Sequence, residues 1–480
     1  MAGLEQWIVE EAGVAARRLV AAISATGLVM ERPGFGQKMV PRPGSVLASP
    51  FPGHYDPDPD YFFHWFRDSA IAIDALRVAL AEGLMGDVAR ARFREFVEFS
   101  LALRNLDGRD FLRKAGDFRA RVQPSFLQFV RPDAEIAAIR NEAILGDVRV
   151  NPDGTLDFIH WSRPQSDGPA QRCIALLRWC RVPGLDANLH AAMRDLIQMD
   201  LAFSLSQAQQ PCFDIWEERE GLHYHTLLVH LAALSDGAGW LESQAETARA
   251  CRAAADEIAA RLDDLWDADA GYYRAHDGGD GPSSHALDFA VILAVLHAGR
   301  MAGRHSVLDP RAQATLAALE ELFEKDYAIN RNRPADRGPA MGRYAGDVYY
   351  GGGAYYFMTL GAAEFYFRLA SALQDGAELP ITEENLRFRQ RLADAEGAGA
   401  DRSLAALAFS RGDAIMRMVQ AYTPASGELS EQFDQSTGAQ TSARDLTWSY
   451  AAFITAAASR RQACRAMRAA DPANPPAGRA

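Results

Sequence analysis

Apolar residues recur at i, i+3, i+4 and i+7 through most of the chain, as in SAIAIDALRVALAEGL (69–84), CIALLRWC (173–180), HTLLVHLAALSDGAGWL (225–241), LAALEELFEKDY (316–327), YFMTLGAAEFYFRLASAL (356–373) and LTWSYAAFITAAASRR (446–461). That spacing puts one apolar face on a 3.6-residue period and predicts about a dozen α-helices. Alternating strand patterns are scarce, so the chain reads as all-α. No motif of fixed period repeats, which disfavours an extended solenoid and favours a closed helical array with loops gathered at one end.

The periodicity breaks in four long stretches rich in Gly, Pro, Asp and aromatics, at 39–63, 150–169, 330–353 and 422–442. Long loops in a compact protein tend to be functional, and these four are expected to rim one pocket. With no linker composition inside 480 residues, one catalytic domain is expected over 1–470. The tail at 471–480, rich in Ala and Pro, is expected to be disordered.

Composition narrows the partners. Hydrophobic content of 48% with 24% charged residues is that of a folded globular protein. A net charge of −13 lacks the basic surface that nucleic acid demands. The first 25 residues lack the order of a signal peptide, and no uncharged apolar run is long enough to span a bilayer. The expectation is a cytoplasmic protein with no membrane and no nucleic-acid partner; its oligomeric state stays open. Five cysteines, odd in number and without CxxC spacing, fit reduced thiols better than disulfides or zinc.

Candidate chemistry sits in the breaks. They, their borders and the stretch 212–220 hold Trp65, Arg67 and Asp68 in YFFHWFRDSA, Trp161, Arg163 and Asp167 in HWSRPQSDGPA, Trp216, Glu217 and Glu218 in CFDIWEERE, Arg343, Asp347 and Tyr349 in GRYAGDVYYGGG, and Glu431 with Gln432 in LSEQFD. Aromatics mixed with carboxylates and arginines suit a sugar, whose C–H faces stack on rings while its hydroxyls need charged or amide partners. YYGGGAYY lacks the Lys and Ser/Thr of a phosphate-binding loop, and there is no HExxH. His223, His225 and His230 do not share one helix face, so no metal and no cofactor is expected.

The ordered set DYFFHWFRDSA, HWSRPQSDGPA, FDIWEE, GRYAGDVYY and LSEQFDQSTGAQTSARDLTWSYAA resembles the glucoamylases, family 15 of the glycoside hydrolases, from about residue 45 to 457. The resemblance implies an (α/α)6 barrel and inverting hydrolysis of α-glucosidic bonds from the non-reducing end. It further implies Glu217 as general acid, Glu431 as general base, and Glu218 as an anchor for hydroxyls beyond the cleavage point. Arg67, Asp68 and Arg343 would hold the terminal glucose, Tyr61 would lie over the developing cation, Trp161 would stack near the acid, and Tyr349 would line the terminal site. Trp65, Trp216 and Gln432 complete the expected substrate-binding set. Asp347 reads as a turn cap, and Arg444 with Asp445 as anchors of the last helix.

Two departures touch the far side of the cleavage point. Ser166 stands where the family commonly has Arg, and Tyr355, beside a Gly-Gly-Gly taken as flexible, stands where it commonly has Trp. Both point to short α-glucosides as the small-molecule substrate. An inverting disaccharide phosphorylase is the competing reading, although it would not need the carboxylate of Glu431. An inactive sugar-binding protein is a third, disfavoured by the intact acid pair.

Overall fold

The computed structural model describes residues 2–54, 56–241, 244–278, 285–394 and 402–469; the tail expected at 471–480 lies outside them. Among the described residues are sixteen α-helices and eleven strands of only two or three residues. The helices beyond the expected dozen are short ones, such as Gly108–Ala115, Asp133–Ala138 and Ala328–Arg331. They form in stretches too brief to show a full apolar period. The chain divides into two compact units, one comprising Ala16–Arg261 and Ser442–Ala451, the other Met1–Ala15, Leu262–Thr441 and Ala452–Ala480.

In the unit of Ala16–Arg261, helices Asp167–Trp179 and Tyr224–Trp240 are buried on nearly all sides, with 12 of 13 residues of the first inside. Helices enclosed on nearly all sides form a core, and polar residues within them, such as Arg172, are paired there. Phe66–Ala81 packs beside Asp167–Trp179 as a further inner helix, and around them lie Val88–Leu103 and Ala187–Gln207, each with a polar outer face. Phe93 stacks flat on Trp179 at 3.9 Å, and the buried Arg172 pairs with Asp200 at 2.6 Å, tying inner helix to outer. Gly168 is forced by proximity: a Cβ there would meet that of Phe66 at 2.5 Å, so only glycine lets the two helix starts approach.

The other unit repeats the plan. Helices Ala290–Ala298 and Tyr356–Gln374 are almost wholly buried, with Pro310–Asp326 and Leu404–Tyr422 packed against them. Glu320, fully buried, accepts from Arg391, Arg411 and the Tyr366 hydroxyl, so its charge is matched rather than stranded.

The strands lead the chain into inner helices. His64–Trp65, paired with Arg149–Val150, runs into Phe66–Ala81. The hairpin Cys212–Phe213 with Glu220–Gly221 precedes Tyr224–Trp240, and Ala354–Tyr355, paired with Gln432–Phe433, runs into Tyr356–Gln374. Within each unit the candidate residues therefore lie near the starts of inner helices, where backbone N–H groups lack helical partners. Among the described residues no helix is long and apolar enough to cross a membrane.

Candidate active site

Glu217 sits in the six-residue turn of the hairpin 212–221. The Asp214 carboxylate accepts from the backbone N–H of Glu218 at 2.7 Å and of Arg219 at 3.3 Å, closing the turn, and Glu217 takes φ +67°. That left-handed value is uncommon for any residue but glycine, asparagine or aspartate. The Ser162 hydroxyl donates to the Glu217 carbonyl at 2.6 Å, locking the turn to the strap 161–166. Trp216 is half-buried and Glu218 exposed.

The Glu217 carboxyl is surrounded by donors. Its Oε1 accepts from Trp65 Nε1 at 2.8 Å, Gln165 Nε2 at 3.1 Å and Arg67 Nη2 at 3.5 Å, while its Oε2 accepts from Trp161 Nε1. Trp65 is buried and Trp161 remains 36% exposed, so the Oε2 edge is the one that faces outward. Arg149 braces both indoles, its guanidinium 4.7 Å from the Trp65 ring and 3.9 Å from that of Trp161. The Tyr61 ring lies 5.4 Å from Trp65.

Arg67 is the hub. Its Nη1 donates to Gln165 Oε1 at 2.8 Å and lies 3.5 Å from Asp167, while Nε lies 3.4 Å from Asp68 Oδ2. Neither Arg67 Nε nor Asp68 Oδ2 has a hydrogen-bond partner, although both are buried. Burial pushes the Asp68 carboxyl up to about 6; Arg67 pulls it down, and Glu217 and Asp167 push it further up. His225 and His230, buried nearby, are driven by desolvation to about 3 and about 4, so both stay neutral near pH 7. No cluster of three or more metal-ligating side chains occurs among the described residues.

The remaining candidates lie in the other unit. Arg343 is buried and grips Asp347 through two bonds of 2.7 and 2.5 Å. Asp347 also accepts from the Tyr349 N–H at 2.9 Å and from the Tyr355 hydroxyl at 3.3 Å. It does cap a turn, and holding Arg343 is its second task. Glu431 is 9% exposed at the start of the strand Gln432–Phe433. Gln432 is fully buried, with its amide accepting from Gly353 N–H and donating to the Tyr349 carbonyl, both at 3.1 Å. Its amide is thus committed to holding the 349–353 turn.

The glycines of that turn are held rather than loose. Gly351 and Gly352 take φ +85° and +63°, and a Cβ on Gly352 would lie 2.0 Å from the Asp347 carbonyl. Tyr355 and Ser166 are both buried, Tyr355 on Asp347 and Ser166 donating to Cys212 Sγ at 3.4 Å. Asp445 accepts from the Tyr450 hydroxyl at 2.5 Å, one turn into the last helix, and Arg444 pairs with Asp58 at 2.8 Å.

Sequence reasoning singled out Asp167, which lies against Arg67, but passed over Gln165 and Arg149. Gln165 stands in RPQSDGPA, where polar residues immediately before a helix were a usable signal. Arg149, in a two-residue strand, offered none.

The family model described as glycosyl hydrolases family 15 matches residues 150–458. A probable glucoamylase of Schizosaccharomyces pombe is 26% identical over 466 residues, covering 95% of this chain and 91% of its own. A Saccharomyces cerevisiae glucoamylase described as intracellular and sporulation-specific is 27% identical, covering 86% of this chain and 77% of its own. The solved Hormoconis resinae glucoamylase superposes with a TM-score of 0.77 at 27% identity, covering 95% of this chain and 74% of that one. That likeness assigns the expected (α/α)6 barrel as the fold class. With a family match over well over half of the sequence and glucoamylases among its relatives and structural neighbours, the chain belongs to glycosyl hydrolases family 15 and is a glycoside hydrolase of the glucoamylase type.

Proposed function

We propose that the enzyme is an inverting, exo-acting α-glucosidase that releases β-D-glucose from the non-reducing end of short α-glucosides, with residues 1–470 as one catalytic domain. The observation that carries this reading is the buried pair beside the acid: Arg67 Nε and Asp68 Oδ2 stand 3.4 Å apart as an ion pair, and neither has a hydrogen-bond partner. Buried polar groups seldom stay unsatisfied in a folded chain, and a glucose hydroxyl could accept from the one and donate to the other.

In this mechanism Glu217, protonated on the outward Oε2, gives its proton to the glycosidic oxygen as the C1–O bond breaks. Glu431 takes a proton from the water that attacks C1 on the opposite face. The two carboxyls of an inverting pair stand roughly 6.5–9.5 Å apart to leave room for that water. After turnover Glu217 is a carboxylate and Glu431 an acid, and solvent exchange restores both. Trp65, Gln165 and Arg67, which occupy Oε1, favour the proton on Oε2. Asp68, Arg67 and Arg343 hold the terminal glucose, with Tyr61 and Tyr349 lining it and Trp161, Trp216 and Glu218 serving the leaving side. Gln432 acts one step removed, by holding Tyr349.

The short-substrate reading is supported by Ser166, which leaves the strap without the commonly found arginine. Five free thiols and an intracellular relative support a cytoplasmic location. The test is glucose release from a panel of α-glucosides with and without phosphate, followed by proton NMR. β-Glucose appearing first and independently of phosphate is expected. α-Glucose first would mean retention, and dependence on phosphate would mean a phosphorylase. A rise in kcat/KM of tenfold or more from maltose to maltoheptaose would remove the short-substrate preference.

A further inference from the structure

The strap 161–166 has two faces. Trp161 and Gln165 turn toward Glu217, whereas Arg163 and Pro164 line a cavity of about 550 Å3 on the reverse. That volume lies within the range of about 300–1,000 Å3 typical of small-molecule sites. Ile139, Pro164 and Phe203 give the cavity an apolar floor, and Arg131, Glu135 and Glu142 supply its charge. None of these residues belongs to the proposed catalytic or substrate-binding set.

The chemistry of the lining selects a ligand. Arg131 and Arg163 both pair with Asp147, and Arg163 pairs also with Asp157, so no cationic excess remains to attract an anion. Glu135 and Glu142 would repel one. Arg131 is 5% exposed, and its Nε–H has no hydrogen-bond partner; Glu135 Oε2 stands 3.7 Å away. An ammonium would satisfy the carboxylates but has no lone pair for that N–H. A hydroxyl both donates and accepts, and an apolar floor beneath polar walls fits the C–H face of a pyranose.

We propose that this cavity is a second saccharide site, for glucose or a short glucoside, whose occupancy is felt by the catalytic acid through the strap. The mechanical path is short. Gln165 N–H donates to the Gly146 carbonyl at 3.1 Å in the cavity wall, and Phe213 N–H to the Pro164 carbonyl at 2.9 Å, at the base of the hairpin that carries Glu217. A ligand pressing on Pro164 and Gly146 shifts the backbone that presents Trp161 and Gln165. The choice of glucose as probe rests on the α-glucosidase reading.

The experiment compares the wild-type chain with Ala143→Trp and, separately, Ser206→Trp. Both positions are exposed on the cavity wall, so either indole fills the space without entering the core, and thermal melting checks that each variant folds. Equilibrium dialysis with labelled glucose should give two glucoses per wild-type chain and one per variant. Glucose inhibition should change both slope and intercept for the wild type but only slope for the variants, with kcat/KM at trace glucose unchanged within about twofold. One glucose per wild-type chain, purely competitive inhibition, or variants indistinguishable from wild type would each overturn the proposal. So would occupation of the second site by inorganic phosphate or Tris in preference to glucose. A wild type that hydrolyses α-glucosides yet binds one glucose refutes the cavity alone; one that hydrolyses none refutes the functional reading instead.

Discussion

Replacing Asp68 by Asn should make the protein more stable in alkaline solution and nearly inactive. Asp68 is buried against Arg67, Glu217 and Asp167, and its carboxyl titrates at about 6 rather than at the 3.8 of an ordinary aspartate. A folded-state value above the unfolded one means that ionisation opposes folding. The associated stability is fully present below about pH 4 and is lost as pH rises through about 6. The gap corresponds to about 3 kcal/mol at pH 8. Asparagine, neutral and nearly isosteric, avoids that loss. Calorimetric melting at pH 4.5 and pH 8 should show little difference from wild type at the lower pH and a gain of several degrees at the higher. The wild-type KM should rise as pH falls through about 6, because a protonated Asp68 accepts fewer hydroxyl protons, while kcat/KM of the variant drops at least a hundredfold. A variant no more stable than wild type at pH 8, or one with the same gain at both pH values, would refute the reasoning.

Three further outcomes are expected. Glu217→Gln and Glu431→Gln should each fold normally, by circular dichroism, and lose about 10²–10⁴ in kcat; either one retaining a tenth of wild-type turnover loses its assigned role. Gln165→Leu removes the 2.8 Å acceptor of Arg67 and a donor to Glu217, which at about 1–3 kcal/mol lowers kcat/KM by roughly 10–100-fold; steady-state kinetics on maltose check it, and an unchanged value argues that Trp65 and Trp161 suffice. Asp347→Ala removes the bidentate partner of the buried Arg343, costing about 3–5 kcal/mol and raising KM, as thermal melting and kinetics will show; retention of wild-type stability would mean that other contacts hold Arg343.

The helical class was legible because 3.6-residue periodicity runs through long segments such as LTWSYAAFITAAASRR, all of which but Leu446 lies within Thr447–Ala469. The inner and outer roles were harder to read, since the inner helix holding CIALLRWC carries charged residues such as Arg172 and Arg178, as an outer helix does, and holds them in ion pairs. At the site, charged and aromatic residues announced themselves by type: Arg67, Asp68, Trp161 and Glu217 do converge. What escaped was neutral or remote. Gln165 bridges Arg67 and Glu217 with an uncharged amide, and Arg149 arrives from the opposite strand of a pair only two residues long. A pairing of that length leaves no alternation to detect. Gln432 was legible as a site residue, but not as one whose amide is spent on backbone, which depends on the glycine turn beside it.

The left-handed backbone of Glu217 bears on how this sequence drifts under selection. Glycine or asparagine would relax the turn, gaining by sparing a strained side chain about what left-handed residues ordinarily cost, on the order of 1 kcal/mol. Thermal tolerance and turnover therefore pull position 217 in opposite directions. A random library passed through a heat challenge, with no requirement for sugar cleavage, should accumulate Gly or Asn there. The same library grown on an α-glucoside should restore Glu. The general acid would then be identified by the allele that heat discards, without any assay of chemistry on a purified protein.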